Sequence, residues 1–354
     1  MRSGLLAWPG APMAIASAVL FGASTPFAKL LLGNGLSAWL LAGLLYLGSG
    51  IGLAVALLAR RTFVAVPTEA PLRRGDLPWL TLVVLCGGVI GPLLLMIGLA
   101  ATSASSASLL LNLEGLATMA IAWMVFRENV DRRLLIGAAA ILAGALLLSW
   151  QGGALGFGAG SLAIAGACLA WGIDNNLTRK LSSADPLQIA CIKGLVAGSV
   201  NLVFALSIGS ALPGLHSLLY AGLIGFLGYG VSLVLFVLAL RFLGAARTGA
   251  YFSTAPFVGA LLSVLMFHES LTLRMLCAGL LMAIGLYFHL AETHEHTHSH
   301  EDMEHEHKHV HDAHHRHAHE SNVPPGEPHT HWHRHSPMTH KHPHYPDMHH
   351  RHEH

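Results

Sequence analysis

Long apolar runs dominate residues 12–290, separated by short polar or basic junctions. A membrane-spanning helix needs about 20 mostly apolar residues. Ten segments meet that requirement: 12–32, 37–59, 78–99, 104–126, 132–150, 159–178, 187–208, 216–240, 246–267 and 271–290. The pattern predicts an all-α membrane protein of ten transmembrane helices, with a lipid bilayer as its surroundings. Ala14-Ile15-Ala16 offers small residues at a spacing that a signal peptidase accepts. The apolar run nevertheless continues to Leu32 and is followed at once by another, so it reads as an uncleaved first span. Beyond His289 the apolar runs stop and a polar tail begins.

Composition sharpens this picture. Only 11% of the 354 residues are charged and 53% are hydrophobic, with a mean hydropathy of +0.55; soluble domains carry about a quarter charged residues. A net charge of +1 and the lack of a basic face or binding motif argue against nucleic acid as a partner. Cys86, Cys168, Cys191 and Cys277 fall in apolar segments without metal-site spacing, and read as free thiols rather than a disulfide framework. Lysine and arginine set the orientation. With the N-terminus in the cytosol, Arg60, Arg61, Arg73, Arg74, Arg127, Arg132, Arg133, Arg179, Lys180, Arg241 and Arg247 fall inside, and only Lys29 and Arg274 fall outside. An even number of spans then puts both termini in the cytosol.

The chain also repeats itself. Phe21-Gly22 opens a stretch ending at Lys29, and Trp171-Gly172 opens one ending at Arg179, both 150 positions later. Val125-Phe126-Arg127-Glu128 is similar to Met266-Phe267-His268-Glu269, displaced by 141. Each half then holds five spans, and an odd number per half inverts the second half relative to the first. Inverted repeats are a transporter signature, because two similar halves can exchange conformations around a central site. These motifs, in this order and spacing, resemble the drug/metabolite transporter superfamily, and most of all its EamA-like ten-helix branch, over roughly residues 12–290. The resemblance implies a bacterial inner-membrane carrier, not an enzyme, that exports small solutes on an ion gradient. The expected domains are a first five-helix repeat in 1–150, a second in 151–291, and a separate tail in 292–354. A homodimer is left open.

Ionisable residues inside a membrane are functional candidates by default, since each costs at least about 2.5–3.5 kcal/mol to insert. Glu114 lies near the middle of the fourth predicted span, with Asn112 close in sequence but on another face. Its carboxyl can exchange a proton during transport, bind a cation, or simply hydrogen-bond to a neighbouring helix. Asp174-Asn175-Asn176 ends the sixth span as a run of oxygen-bearing side chains that either lines a cavity or satisfies a helix end. Lys193 sits in the seventh span at a similar depth. It either pairs with Asp174 or serves an anionic substrate. His216 and His268 read as helix-end residues, with His268-Glu269 a weaker candidate for an exit-side metal contact.

Residues 289–354 carry 24 of the 26 histidines. They alternate at His294, His296, His298 and His300, at His305, His307, His309 and His311, and at His329, His331, His333 and His335. In an extended chain every second side chain shares a side, so His-x-His pairs can close on one ion, and imidazole suits nickel, cobalt, zinc and copper. Frequent prolines and little apolar surface predict a disordered segment. Long, irregular sequence argues against a purification tag, and pH sensing is the competing role. Similar segments occur on bacterial nickel and cobalt exporters, and the combination resembles those. No cofactor is required; nickel, cobalt or zinc is the metal the tail is expected to bind. Export of a divalent metal is the first expectation. An exporter of an amino-acid-like metabolite with a metal-responsive tail is the second, and a membrane-anchored metal sensor the third.

Overall fold

The computed structural model describes residues 10–63, 72, 74–126, 132–150, 158–178, 181 and 185–290, together with 295–300, 303–309, 329–335 and 338–343 of the tail. Two units separate, Met1–Glu292 and Thr293–His354.

The first unit is helical. In chain order it contains α1 (Gly10–Gly33), α2 (Ala38–Phe63), α3 (Leu77–Val83), α4 (Gly91–Ala101), α5 (Ala104–Leu110), α6 (Leu113–Phe126) and α7 (Arg132–Ser149). Then follow α8 (Ala159–Thr178), α9 (Pro186–Ser207), α10 (Leu215–Gly225), α11 (Ser232–Phe252), α12 (Ala255–Phe267) and α13 (Leu273–Leu290). A π-helical turn, Val84–Ile90, joins α3 to α4, and a second, Phe226–Val231, joins α10 to α11.

Seven of the described helical stretches are long and apolar enough to cross a membrane. They are Gly10–Gly33, Ala38–Arg60, Arg74–Ala101, Ala104–Val125, Arg132–Ser149, Pro186–Ser207 and Leu215–Ala239. The other three predicted spans take a different form. Helix α8 ends in the polar run Asp174-Asn175-Asn176, which lowers its hydropathy. The segment predicted over 246–267 is divided, because α11 runs on to Phe252 and the chain turns at 253–254 before α12. Ala255–Phe267 and Leu273–Phe288 are shorter apolar helices. The fourth predicted span is also interrupted, at Leu111-Asn112 between α5 and α6. There Leu111 N, Asn112 N and Glu114 N each reach back three residues, to Ser108, Leu109 and Leu111, tightening the backbone instead of continuing the α-helical ladder.

Burial follows membrane logic. Large apolar side chains such as Val55, Leu58, Val203, Leu261, Leu265 and Leu280 are exposed, while alanine, glycine and serine fill the interfaces. Small residues let helix backbones approach closely where lipid supplies no hydrophobic drive to association. Helix α2 lies along α9, with Gly43, Gly50, Gly194 and Gly198 at positions where a Cβ would overlap the facing backbone. Helix α7 lies along α13 in the same way through Gly144 and Gly285. Helix α1 packs on α11 and α12, and α8 packs on α4 and α6. Between α1 and α11, Ser17 Oγ donates to Ser232 O at 2.7 Å and Ser232 Oγ donates to Ser17 O at 2.9 Å.

Lys29 and Arg274, the two cations expected on the outer side, cap helix ends. Lys29 Nζ donates to Leu99 O (2.6 Å) and Thr102 O (2.9 Å) at the end of α4. Arg274 donates to Leu147 O, Leu148 O and Trp150 O at the end of α7. Terminal carbonyls of a helix lack backbone partners and attract positive charge, so each cation is held by local need.

In the second unit the described residues form strands. Strand β1 (Glu295–His300) pairs antiparallel with β4 (Met338–Pro343), and β2 (Met303–His309) with β3 (His329–His335). Within the strands histidine alternates with Thr, Ser, Glu, Lys, Trp or Arg, a period of two that suits a ladder. Proline enters them only at the last residue, Pro343, where a missing N–H is tolerated.

Candidate functional site

Helix α8 carries polar residues on two sides. On one side, Asp174 forms an ion pair with Lys193 of α9; the side chains are only 7% and 11% exposed. Thr178 Oγ1 donates to Asp174 Oδ1 at 3.2 Å from one turn further on. The pair expected from their matched depths is thus formed inside the helical unit.

The pair rests against the first π-helical turn. A Cβ on Gly87 would overlap the Asp174 carboxylate, so only glycine leaves room for it. This turn follows from Gly91-Pro92. Gly91 N donates to Cys86 O, and Pro92 has no N–H to give to Gly87 or Gly88. Side chains from three other helices take those carbonyls instead. Tyr46 Oη (α2) and Trp171 Nε1 (α8) donate to Gly87 O at 2.7 and 3.0 Å, and Asn201 Nδ2 (α9) donates to Gly88 O at 3.3 Å. The turn is held in place by its surroundings, and π-helical turns recur at functional sites.

Aromatic rings continue the cluster toward the second π-helical turn. Tyr46 and Tyr229 have ring centroids 5.4 Å apart, and Phe21 lies 5.8 Å from Tyr229 and 6.2 Å from Trp171, both edge-on. At that second turn Gly228 faces Ser24 as Gly87 faces Asp174.

On the other side of α8, Asn175 Nδ2 donates to Glu114 Oε1 (3.0 Å) and Thr118 Oγ1 (3.2 Å) of α6. Asn176 Nδ2 donates to Thr118 O (3.0 Å) and Gly172 O (2.8 Å). Glu114 is half-buried and Asn175 exposed. Asn112 turns away from both groups, its Nδ2 donating to Leu109 O at 2.8 Å with Met282 Sδ of α13 at 3.8 Å. The six candidate residues therefore lie in three places: Asp174 with Lys193, Glu114 and Asn175 with Asn176 beside them, and Asn112 apart from both. Sequence reasoning missed Tyr46, Asn201 and Tyr229 as members of the central cluster. Polar tips within apolar runs were the available signal.

His268 is exposed at φ 50°, ending α12. Glu269 accepts from Ala104 N (2.9 Å), Ser105 N (3.1 Å) and Ser105 Oγ, capping α5. Its carboxylate is thereby committed to a helix start, which accounts for it without a metal. Among the described residues no three His, Cys, Asp or Glu side chains form a group able to hold a metal ion. Of the candidate tail ligands, His294 and His311 lie outside the described residues. Backbone register sets His296 opposite His342, His298 opposite His340, and His305, His307 and His309 opposite His333, His331 and His329.

The EamA-like transporter family profile matches residues 8–150 and again 158–291. The chain belongs to the EamA-like transporter family. It is 31% identical over 231 residues to an uncharacterized transporter of Methanothermobacter thermautotrophicus, a match spanning 62% of this chain and 66% of that protein. A crystal structure with 21% identity superposes with a TM-score of 0.58, covering 79% of this chain and 94% of its own, and has the same fold. The clusters around α8 place ionisable groups inside the helical unit of this EamA-like family member.

Proposed function

We propose that this EamA-like transporter exports divalent transition-metal cations, nickel or cobalt above all, from the cytosol across a bacterial inner membrane. The observation that carries the reading is the concentration of 24 of 26 histidines in residues 289–354, appended to a transporter. The tail, in the cytosol with the N-terminus, gathers metal for the carrier. Asp174 receives the cation, and Lys193 neutralises Asp174 when no cargo is present. Glu114, half-buried on the opposite side of α8, couples transport to an inward proton gradient.

The proposed architecture is ten spans in two inverted five-helix repeats. Two separate matches to one family profile support it, and so do paired contacts. Gly144 faces Ala278 and Met282, while Gly285 faces Gly137 and Ile141. Gly22 faces Ala255 and Gly259, while Gly172 faces Ala117 and Thr118. The π-helical turns and the helix breaks also recur at a displacement close to the 141 positions seen in sequence.

A second reading, export of an amino-acid-like zwitterion with a metal-responsive tail, draws on one observation. The described helices offer no group of three metal ligands, whereas Asp174 and Lys193 together suit opposite charges. Growth inhibition of cells overproducing the protein, tested metal by metal and against amino acids, separates the two. Unchanged tolerance to nickel, cobalt and zinc defeats the first reading. Full proton-coupled uptake by Glu114→Gln in vesicles removes Glu114 from the mechanism.

A further inference from the structure

The central cluster holds two polar atoms that neither the ion pair nor the π-helical turn uses. Asn201 is 0% exposed, and its Nδ2 is committed to Gly88 O, which fixes the amide's orientation and leaves Oδ1 as an acceptor. Asn201 Oδ1 has no hydrogen-bond partner among the described residues. Tyr229 is 8% exposed, and among the described residues its hydroxyl completes no hydrogen bond of good geometry, with the Ser24 side chain as a polar neighbour. The neighbouring Ser24 hydroxyl donates to Phe21 O at 2.6 Å. Buried polar atoms are nearly always paired, so each exception asks for an explanation.

Both residues border one ring. Tyr46 lies tilted against Tyr229, touches the Gly88 position where Asn201 is anchored, and donates to the carbonyl of Gly87, whose Cα side faces Asp174. Asp174, Asn201 and Tyr229 each lie next to Tyr46 or to the Gly87-Gly88 turn that Tyr46 contacts, and a carboxylate, an amide oxygen and a hydroxyl can all accept hydrogen bonds. A hydrated cation presents water hydrogens outward and suits such a set. For direct binding, nickel and cobalt favour imidazole. Cys86, on the same turn and partly exposed, is a soft ligand.

We propose that Asn201 Oδ1 and Tyr229 Oη receive the cargo cation through its coordinated water beside Asp174, so that the membrane site recognises charge and hydration rather than a metal's ligand preference. The proposal rests on the metal-export reading.

The test uses the full chain in proteoliposomes with Ni²⁺, Co²⁺, Zn²⁺ and Mn²⁺, comparing wild type with Asn201→Leu, Tyr229→Phe and Cys86→Ser. Tyr229→Phe removes only a hydroxyl and guards against misfolding of the asparagine variant. Loss of a hydrogen bond to a charged ligand raises KM about tenfold. Asn201→Leu and Tyr229→Phe are expected to do so by one common factor for all four metals, with kcat retained. Cys86→Ser is expected to leave the order of metals unchanged. A changed order in any variant shows direct ligation and overturns the proposal. Unchanged KM in both Asn201→Leu and Tyr229→Phe overturns it too, while the export reading stands. If wild type moves no metal but moves an amino acid in the same vesicles, both fall.

Discussion

Replacing the buried ion pair one partner at a time tests its structural weight directly. Asp174 and Lys193 are 7% and 11% exposed, so solvent screens neither. Lys193→Met leaves the Asp174 carboxylate wedged against Gly87 with the Thr178 hydroxyl donating to it. Asp174→Asn leaves the Lys193 ammonium buried without a counter-charge. Removing one partner of a buried pair costs about 3–5 kcal/mol, whereas replacing both with neutral groups is often close to neutral. Each single variant is therefore expected to lose about 3 kcal/mol, and the double variant Asp174→Asn/Lys193→Met to recover most of it. At about 2 °C per kcal/mol, the singles melt roughly 6 °C below wild type. Melting of the purified protein in detergent, followed by intrinsic fluorescence, measures the cycle. Losses that simply add in the double variant would refute the reasoning, because they would mean that the two charges do not sense each other. Under the proposed function the double variant is stable yet transports nothing, which separates the pair's structural role from its role in transport.

Three further outcomes follow from the same geometry. Gly87→Ala places a methyl where the Asp174 carboxylate lies; it is expected to destabilise by about 1–3 kcal/mol, read as a fall in melting temperature that Gly75→Ala, in open space, does not share. Glu269→Ala removes the acceptor for Ala104 N and Ser105 N; a lost cap costs about 1 kcal/mol, and faster amide exchange at the start of α5 than at the start of α9 is the expected sign. Binding of Ni²⁺ to the full-length protein, followed by calorimetry, is expected to weaken at pH 5.5 relative to pH 7.5. A protonated imidazole cannot ligate and histidine titrates near 6.5, so equal binding at both values would exclude imidazole ligands.

Much of the helical layout was legible because span length is a local property: α1, α2, α7 and α9 begin and end close to their apolar runs. The interruptions were not legible. The turn at Val84–Ile90 depends on Tyr46, Trp171 and Asn201, which lie 41, 84 and 113 residues away from the carbonyls they satisfy. Gly91-Pro92 signalled a lost donor, but not who would replace it. The pairing of Asp174 with Lys193 could be foreseen from depth alone. The separation of Glu114 from that pair could not, since it depends on which face of α8 each neighbour touches. In the tail, alternation was visible, but strand partners lie up to 48 positions apart, as Glu295 and Pro343 do.

The seam between α2 and α9 has a mechanical consequence. Ser37 Oγ and Ser210 Oγ, 2.9 Å apart, fasten one end of it, and the Arg60–Asp185 ion pair fastens the other. Glycines bring the two backbones together in between, and α7 with α13 makes a second glycine-packed seam. Backbones packed this closely resist parting along either seam. The two π-helical turns and the breaks at 111–112 and 253–254 belong to α-helical stretches other than these four. Whatever movement carries cargo through is expected to be concentrated there, as a change of curvature rather than a parting of halves.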